Sequence, residues 1–120
     1  MSNSVVVETC NAVMKSRAMK SLFIVGTIGG IQSQSMMVDT GSAITIISNN
    51  LFKSCKTKLM AADKDFSVAN GGTLSMLGKT KLCLEIGGIQ FTHEVYVAKE
   101  IIHEAILGND FLSKNLVDIL

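Results

Sequence analysis

A net charge of only +1, from 11 basic and 10 acidic residues, gives this 120-residue chain no electrostatic case for binding nucleic acid. No basic cluster and no aromatic stacking platform is present, with five phenylalanines, one tyrosine and no tryptophan in the whole chain. No apolar run approaches the roughly 18 residues that span a bilayer, so no membrane role is expected. The N-terminus lacks a basic region followed by a long apolar segment, which argues against a signal peptide. Cysteine is scarce: Cys10, Cys55 and Cys83 are odd in number and widely spaced, which suits neither a disulfide framework nor a zinc site. Free thiols, buried or half-buried, in a cytoplasmic setting are the expectation. His93 and His103 have no cysteine near them in sequence and sit at no special turn, so neither a metal site nor a Cys/His nucleophilic pair is expected.

What the chain does have is apolar residues, 48% against 18% charged. This length suits one domain with a core of ordinary size, and so apolar a composition implies some surface that meets a partner. The most informative stretch is Asp39-Thr40-Gly41-Ser42-Ala43, entered from Met36-Met37-Val38 and left through Ile44-Thr45-Ile46-Ile47. It places a carboxylate at the end of an apolar strand, where ionisation is costly unless the group is hydrogen-bonded, paired or neutralised. Thr40 offers a hydroxyl and an N–H, Gly41 lets the backbone pass close, and Ser42 adds a second hydroxyl. Taken alone, the triplet also fits an Asx-turn that ends a strand.

A second stretch, Ala105-Ile106-Leu107-Gly108-Asn109-Asp110-Phe111-Leu112, runs an apolar strand into glycine and then into residues of helical character. Ahead of each stretch lies the same pentapeptide, Ile28-Gly29-Gly30-Ile31-Gln32 and Ile86-Gly87-Gly88-Ile89-Gln90, 58 residues apart. Gly-Gly between alternating strands signals a tight hairpin, so each half reads as hairpin, strand and glycine turn. Such a two-fold repeat suits a pseudo-symmetric β domain. The expected strands are 22–28 and 32–38 in the first hairpin, 44–47 beyond the Asp loop, and 81–86 leading into the second hairpin. Ser48-Asn49-Asn50 caps a short helical turn through Leu51, Phe52 and Lys53. Residues 56–65 read as a charged surface connection in which Asp63 and Asp65 are solvated. Residues 66–77 read as a hairpin tipped by Asn70-Gly71-Gly72-Thr73, with Gly78 as the kink where it leaves the core. An N-terminal arm over 1–19, with a short strand at Val5-Val6-Val7, precedes a domain over 20–120, and residues 116–120 read as a final strand.

Four motifs in order, Val38-Asp39-Thr40-Gly41, Val68-Ala69-Asn70-Gly71, Leu77-Gly78 and Ile106-Leu107-Gly108-Asn109-Asp110-Phe111-Leu112, resemble the retropepsins. These are the homodimeric aspartic proteases of retroviruses and LTR retrotransposons, and the wording here is similar to the gypsy-type branch. The resemblance implies an all-β fold: a small closed β domain of the acid-protease type with a flap hairpin and one short C-terminal helix. It also implies a catalytic Asp39, with Thr40 bracing the loops across a two-fold axis, Gly41 contacting substrate backbone and Ser42 bonding the outer oxygen of Asp39. Ala69, Asn70, Gly71 and Gly72 would form a flap tip over a polypeptide substrate, where adjacent glycines tolerate positive φ and close approach. Ile106, Leu107 and Gly108 would form the second-half loop, and the strand at 116–120 would join an intermolecular sheet at the base of a homodimer.

Aligning the halves on their glycines puts Ile106 where Asp39 stands, so the second half brings no carboxylate. Hydrolysis by an activated water needs two, one ionised and one protonated. The expectation is therefore an endopeptidase active as a homodimer, with no metal and no cofactor, processing a retroelement polyprotein in the cytoplasm or within virus-like particles. Two departures stand out. Many retroviral members pair an Asp two residues after the triplet's glycine with an Arg directly after the second-half glycine, and this chain has Ala43 and Asn109 there. Asp110 reads as a first-turn acid of the terminal helix. The alternatives are a cellular retropepsin-like domain, as in the ubiquitin-shuttle family, serving dimerisation or selective cleavage, and a domesticated module used for protein binding alone. The intact triplet argues against the last, because an unused buried acid is costly.

Overall fold

The computed structural model describes residues 6–10, 21–62, 66–67 and 73–119. Among the described residues, nine strands and two helices follow in chain order: β1 (Val6–Cys10), β2 (Ser21–Ile28), β3 (Ile31–Val38), β4 (Ile46–Ser48), α1 (Asn49–Phe52), β5 (Phe66–Ser67), β6 (Thr73–Leu74), β7 (Met76–Ile86), β8 (Ile89–Ala98), β9 (Ala105–Leu107) and α2 (Asn109–Ile119). The larger sheet runs β1-β2-β3-β9-β4-β8-β7, and β2 also pairs with β7. That extra pairing closes strands β2, β3, β9, β4, β8 and β7 into a six-stranded barrel, which leaves β1 outside the ring on the edge of β2. Closure satisfies backbone groups that an open sheet would leave as exposed edges.

Both repeated pentapeptides form the hairpins expected of them. Ile28 faces Ile31 across Gly29-Gly30, and Ile86 faces Ile89 across Gly87-Gly88. The four glycines have φ of 55°, 88°, 59° and 84°. Positive φ at both central positions is that of a type I′ turn, whose twist matches the flanking strands and which side chains with a Cβ resist. Inward-facing residues alternate along β7, where Thr80, Leu82, Leu84 and Ile86 are buried, and along β8, where Val95 and Val97 are buried. Leu82, Leu84, Ile86, Val95 and Val97 form one core with Ile24, Ile28, Met36 and Ile47, and Phe111 and Leu112 of α2 complete it.

Ser48 caps α1 as its sequence implies, its Oγ accepting the Leu51 N–H at 3.0 Å. The hairpin expected between the two repeats is present as the pairs Phe66–Leu74 and Ser67–Thr73, while its tip lies outside the described residues, as do Asp63 and Asp65. At Gly78 the β7–β8 register shifts, in keeping with a kink there. The connection before the hairpin is more than a loop: Met60 exchanges two backbone hydrogen bonds with Lys79, at 2.7 and 2.8 Å, and the Thr80 hydroxyl donates to the Lys58 carbonyl. In the N-terminal segment, Val6–Cys10 pairs antiparallel with β2 from Val25 to Ser21, and the remainder of the expected arm lies outside the described residues.

The strand expected at 44–47 is observed as Ile46–Ser48, and the expected terminal strand is overturned. Residues 116–119 are not a strand: α2 runs unbroken from Asn109 to Ile119. Once a helix is nucleated at Asn109-Asp110, each further residue gains a backbone hydrogen bond at little cost. No proline or glycine follows to stop it, so the apolar run is helical despite its strand-like composition.

Candidate active site

Asp39 is the first residue beyond β3. That strand lies parallel to β9, with Met37 opposite Ile106 and Val38 opposite Leu107, and the Asp39 N–H donates to the Leu107 carbonyl at 3.0 Å. The sequence-distant stretches are therefore neighbours in space. The Asp39 carboxylate is half-buried, and its Oδ1 accepts the Gly41 N–H at 2.9 Å. The Ser42 N–H returns to the Asp39 carbonyl at 3.0 Å, closing a tight turn that holds the acid at the strand end. Thr40 and Gly41 are exposed.

The Ser42 hydroxyl takes another direction than expected. Its Oγ donates to the Ile44 carbonyl at 2.7 Å, so it braces the outgoing arm of the loop, and the backbone amide of Gly41 is the group that bonds the carboxylate. Across from this loop, Gly108 is buried, as is Leu107, and Ile106 is half-buried. The Gly108 N–H donates to the Thr45 Oγ at 3.0 Å and the Asn109 N–H to the Ser42 carbonyl at 2.7 Å. The Gly108 carbonyl then accepts from Phe111 and Leu112, so α2 starts directly from the loop. Ala69, Asn70, Gly71 and Gly72 lie outside the described residues.

Sequence reasoning missed a side-chain cluster that backs this arrangement. Thr45 is 1% exposed, and its hydroxyl donates to Asp110 Oδ1 at 2.7 Å. Asp110 Oδ2 meets His93 Nε2 at 3.1 Å, and the His93 ring stands edge-on to Phe111 with centroids 5.3 Å apart. Asp110 does lie in the first turn of α2, as expected, but it is also a hub for β8 and the Asp39 loop. His103 packs edge-on against Phe23 at 5.4 Å. Among the described residues no cluster of His, Cys, Asp and Glu is arranged to hold a metal ion.

Burial pushes the Asp110 carboxyl up, but the hydrogen bonds from His93 and Thr45, together with the His93 charge, outweigh it and leave its pKa below the ordinary value. A carboxyl depressed in the folded state adds stability that is fully present above the titration of the unfolded chain, at roughly pH 4. That stability is lost as pH falls through the lower folded-state value. Asp110→Asn is expected to melt below wild type at neutral pH, with the gap closing under acid conditions. Thermal melts from pH 2 to 7 check this, and a gap that widens in acid would refute it.

The family model described as "gag-polyprotein putative aspartyl protease" matches residues 24–114. The chain belongs to this aspartyl protease family. Solved structures agree on the fold. EIAV protease complexed with the inhibitor HBY-793 superposes with a TM-score of 0.67 at 16% identity, covering 82% of this chain and 90% of that one. The retropepsin-like aspartic protease from Rickettsia conorii matches with a TM-score of 0.61 at 17% identity over 92% of this chain and 80% of its own. The retroviral protease-like domain of Ddi1 from Leishmania major gives 0.61 at 15% identity over 82% and 76%. The chain has no match among curated proteins. The family match spans both the Asp39 loop and the Gly108 loop, and the fold is the small, mostly β, retropepsin-like barrel with one C-terminal helix that the motifs implied.

Proposed function

We propose that this aspartyl protease family member is an endopeptidase that hydrolyses peptide bonds as a homodimer, each chain contributing one Asp39. The observation that carries the reading is the supply of carboxylates. Asp39 has only the Gly41 amide on one oxygen among the described residues, while Asp110, the acid beside the second-half loop, is engaged by both Thr45 and His93. Of the acids described at the two loops, one chain thus presents one available carboxylate, and an acid/base pair needs two. Two copies related by a two-fold axis bring two Asp39 side chains together. A water between them loses its proton to the ionised member and attacks the scissile carbonyl, whose oxygen is protonated by the other. The Phe66–Leu74 hairpin stands in chain order where a flap would close over substrate. A retroelement polyprotein is the natural substrate on the family's description, and processing in the cytoplasm or within virus-like particles goes with that reading.

The likeness to the Leishmania major Ddi1 domain favours a second reading, a cellular retropepsin-like domain that serves dimerisation or protein binding. Mixing separates the two. When wild-type chains are exchanged with a tenfold excess of Asp39→Asn chains, cleavage of a peptide substrate per wild-type chain should fall to about a tenth, because random pairing leaves few wild-type dimers. The wild-type activity itself should be blocked by pepstatin. Unchanged activity per wild-type chain would show that each chain works alone, and no cleavage by any mixture would leave the binding reading in place.

A further inference from the structure

We infer that Asp110, oriented by His93 and acting through Thr45, is a positioning residue that clasps the Asp39 loop to the Gly108 loop. The catalytic part of this inference rests on the endopeptidase reading, and the clasp itself does not. Three connections make the chain of contacts. His93 Nε2 on β8 lies 3.1 Å from Asp110 Oδ2, Thr45 Oγ lies 2.7 Å from Asp110 Oδ1, and the Gly108 N–H reaches the same Thr45 Oγ at 3.0 Å.

The direction of each bond follows from chemistry. An ionised carboxylate only accepts, so the Thr45 hydroxyl must spend its proton on Asp110 and turn its lone pairs toward Gly108. A hydroxyl without that acceptor would rotate, and the buried Gly108 amide would lose its fixed partner. Gly108 in turn is one residue from both Leu107, whose carbonyl holds the Asp39 amide, and Asn109, whose amide holds the Ser42 carbonyl. The two loop-to-loop backbone bonds therefore flank the one side-chain bond that Asp110 controls. Ala43 and Asn109 are both exposed; the clasp lies two residues beyond the first and one beyond the second, and uses a carboxylate, a hydroxyl and an imidazole. His93 is well placed to hold the carboxylate still, with a side chain only 12% exposed and a ring fixed against Phe111.

Two readouts test the clasp on the purified chain. In Asp110→Ala, amide hydrogen exchange at Gly108, Asn109 and Asp39 should quicken about tenfold or more, while Leu84 and Val95 in the β7–β8 hairpin keep wild-type protection. For peptide cleavage, kcat should fall about tenfold or more with KM within about threefold, as misplacement of a reacting group requires. Asp110→Asn, whose amide can still accept from Thr45 and donate to His93, should restore most of both. If Asp110→Ala does not fold, the pair Thr45→Val and Thr45→Ser decides, with loss expected in the first and near wild-type behaviour in the second. Exchange that is unchanged at Gly108, or that rises equally across the hairpin, overturns the clasp. An effect on KM alone overturns the positioning role. If the wild-type chain cleaves no peptide, the endopeptidase reading fails, and the exchange measurement still settles whether Asp110 holds the loops together.

Discussion

Asp39→Asn should abolish peptide cleavage and leave the fold almost untouched. The substitution keeps the size and the Oδ1 acceptor, so the Gly41 N–H retains its bond at the strand end. What it removes is, among the described residues of the two loops, the one carboxylate free to take a proton from water. An asparagine pair can neither accept that proton nor return it, and general acid–base catalysis supplies about 10²–10⁴-fold on its own. The loss is expected to reach at least that size, measured as kcat/KM on a peptide substrate. The melting temperature should stay within a few degrees of wild type, by the usual behaviour of half-exposed substitutions, where a change of about 0.5 kcal/mol is typical. Cleavage retained by a pure Asp39→Asn sample would mean that the carboxylate is not the acting group, and the protease reading would fall with it.

The second large effect belongs to Gly108→Ala, which should destabilise the molecule by about 3 kcal/mol or more and lower Tm by about 10 °C or more. The cause is not conformational preference but space. A Cβ built on Gly108 overlaps the Ile44 carbonyl and crowds the Ser42 carbonyl, both backbone atoms of the Asp39 loop. A flexible side chain could swing aside, whereas these atoms are fixed by the Asn109-to-Ser42 and Gly108-to-Thr45 bonds. Relief requires the two loops to part, so the damage falls on the site before the rest of the barrel. A wild-type melting curve for Gly108→Ala would mean that the loops are not packed as described.

The parts legible in sequence were those with local chemistry. Gly-Gly between alternating strands specifies its turn within a few residues, and Ser48 ahead of Asn49-Asn50 specifies its cap, so hairpins and α1 could be read directly. The Asp-Thr-Gly and Ile-Leu-Gly stretches were recognisable because each combines an apolar strand with a glycine turn. The clasp was not legible, since Thr45 and Asp110 are 65 residues apart and His93 carries no local signal that it faces a carboxylate. The terminal segment was misread for a related reason. Leu116-Val117-Asp118-Ile119-Leu120 is a short apolar run, and such runs do not distinguish strand from helix until something upstream fixes the period. The Met60–Lys79 bridge was equally hidden, because the 56–62 segment has the composition of a loop and gains its order from a strand edge elsewhere in the chain.

The pairing of β3 with β9 also fixes an order of events. Thr45 must wait for Gly108, 63 residues later, before its hydroxyl has the amide it accepts. Contacts so far apart in the chain bear their loop-closure entropy before they return any stabilisation, which places them late in folding. During synthesis the Asp39 turn would leave the ribosome well before its partner loop and α2. The acid of a nascent chain thus stays unbraced until β9 and the Gly108 loop take their place between β3 and β4 and α2 packs onto the core.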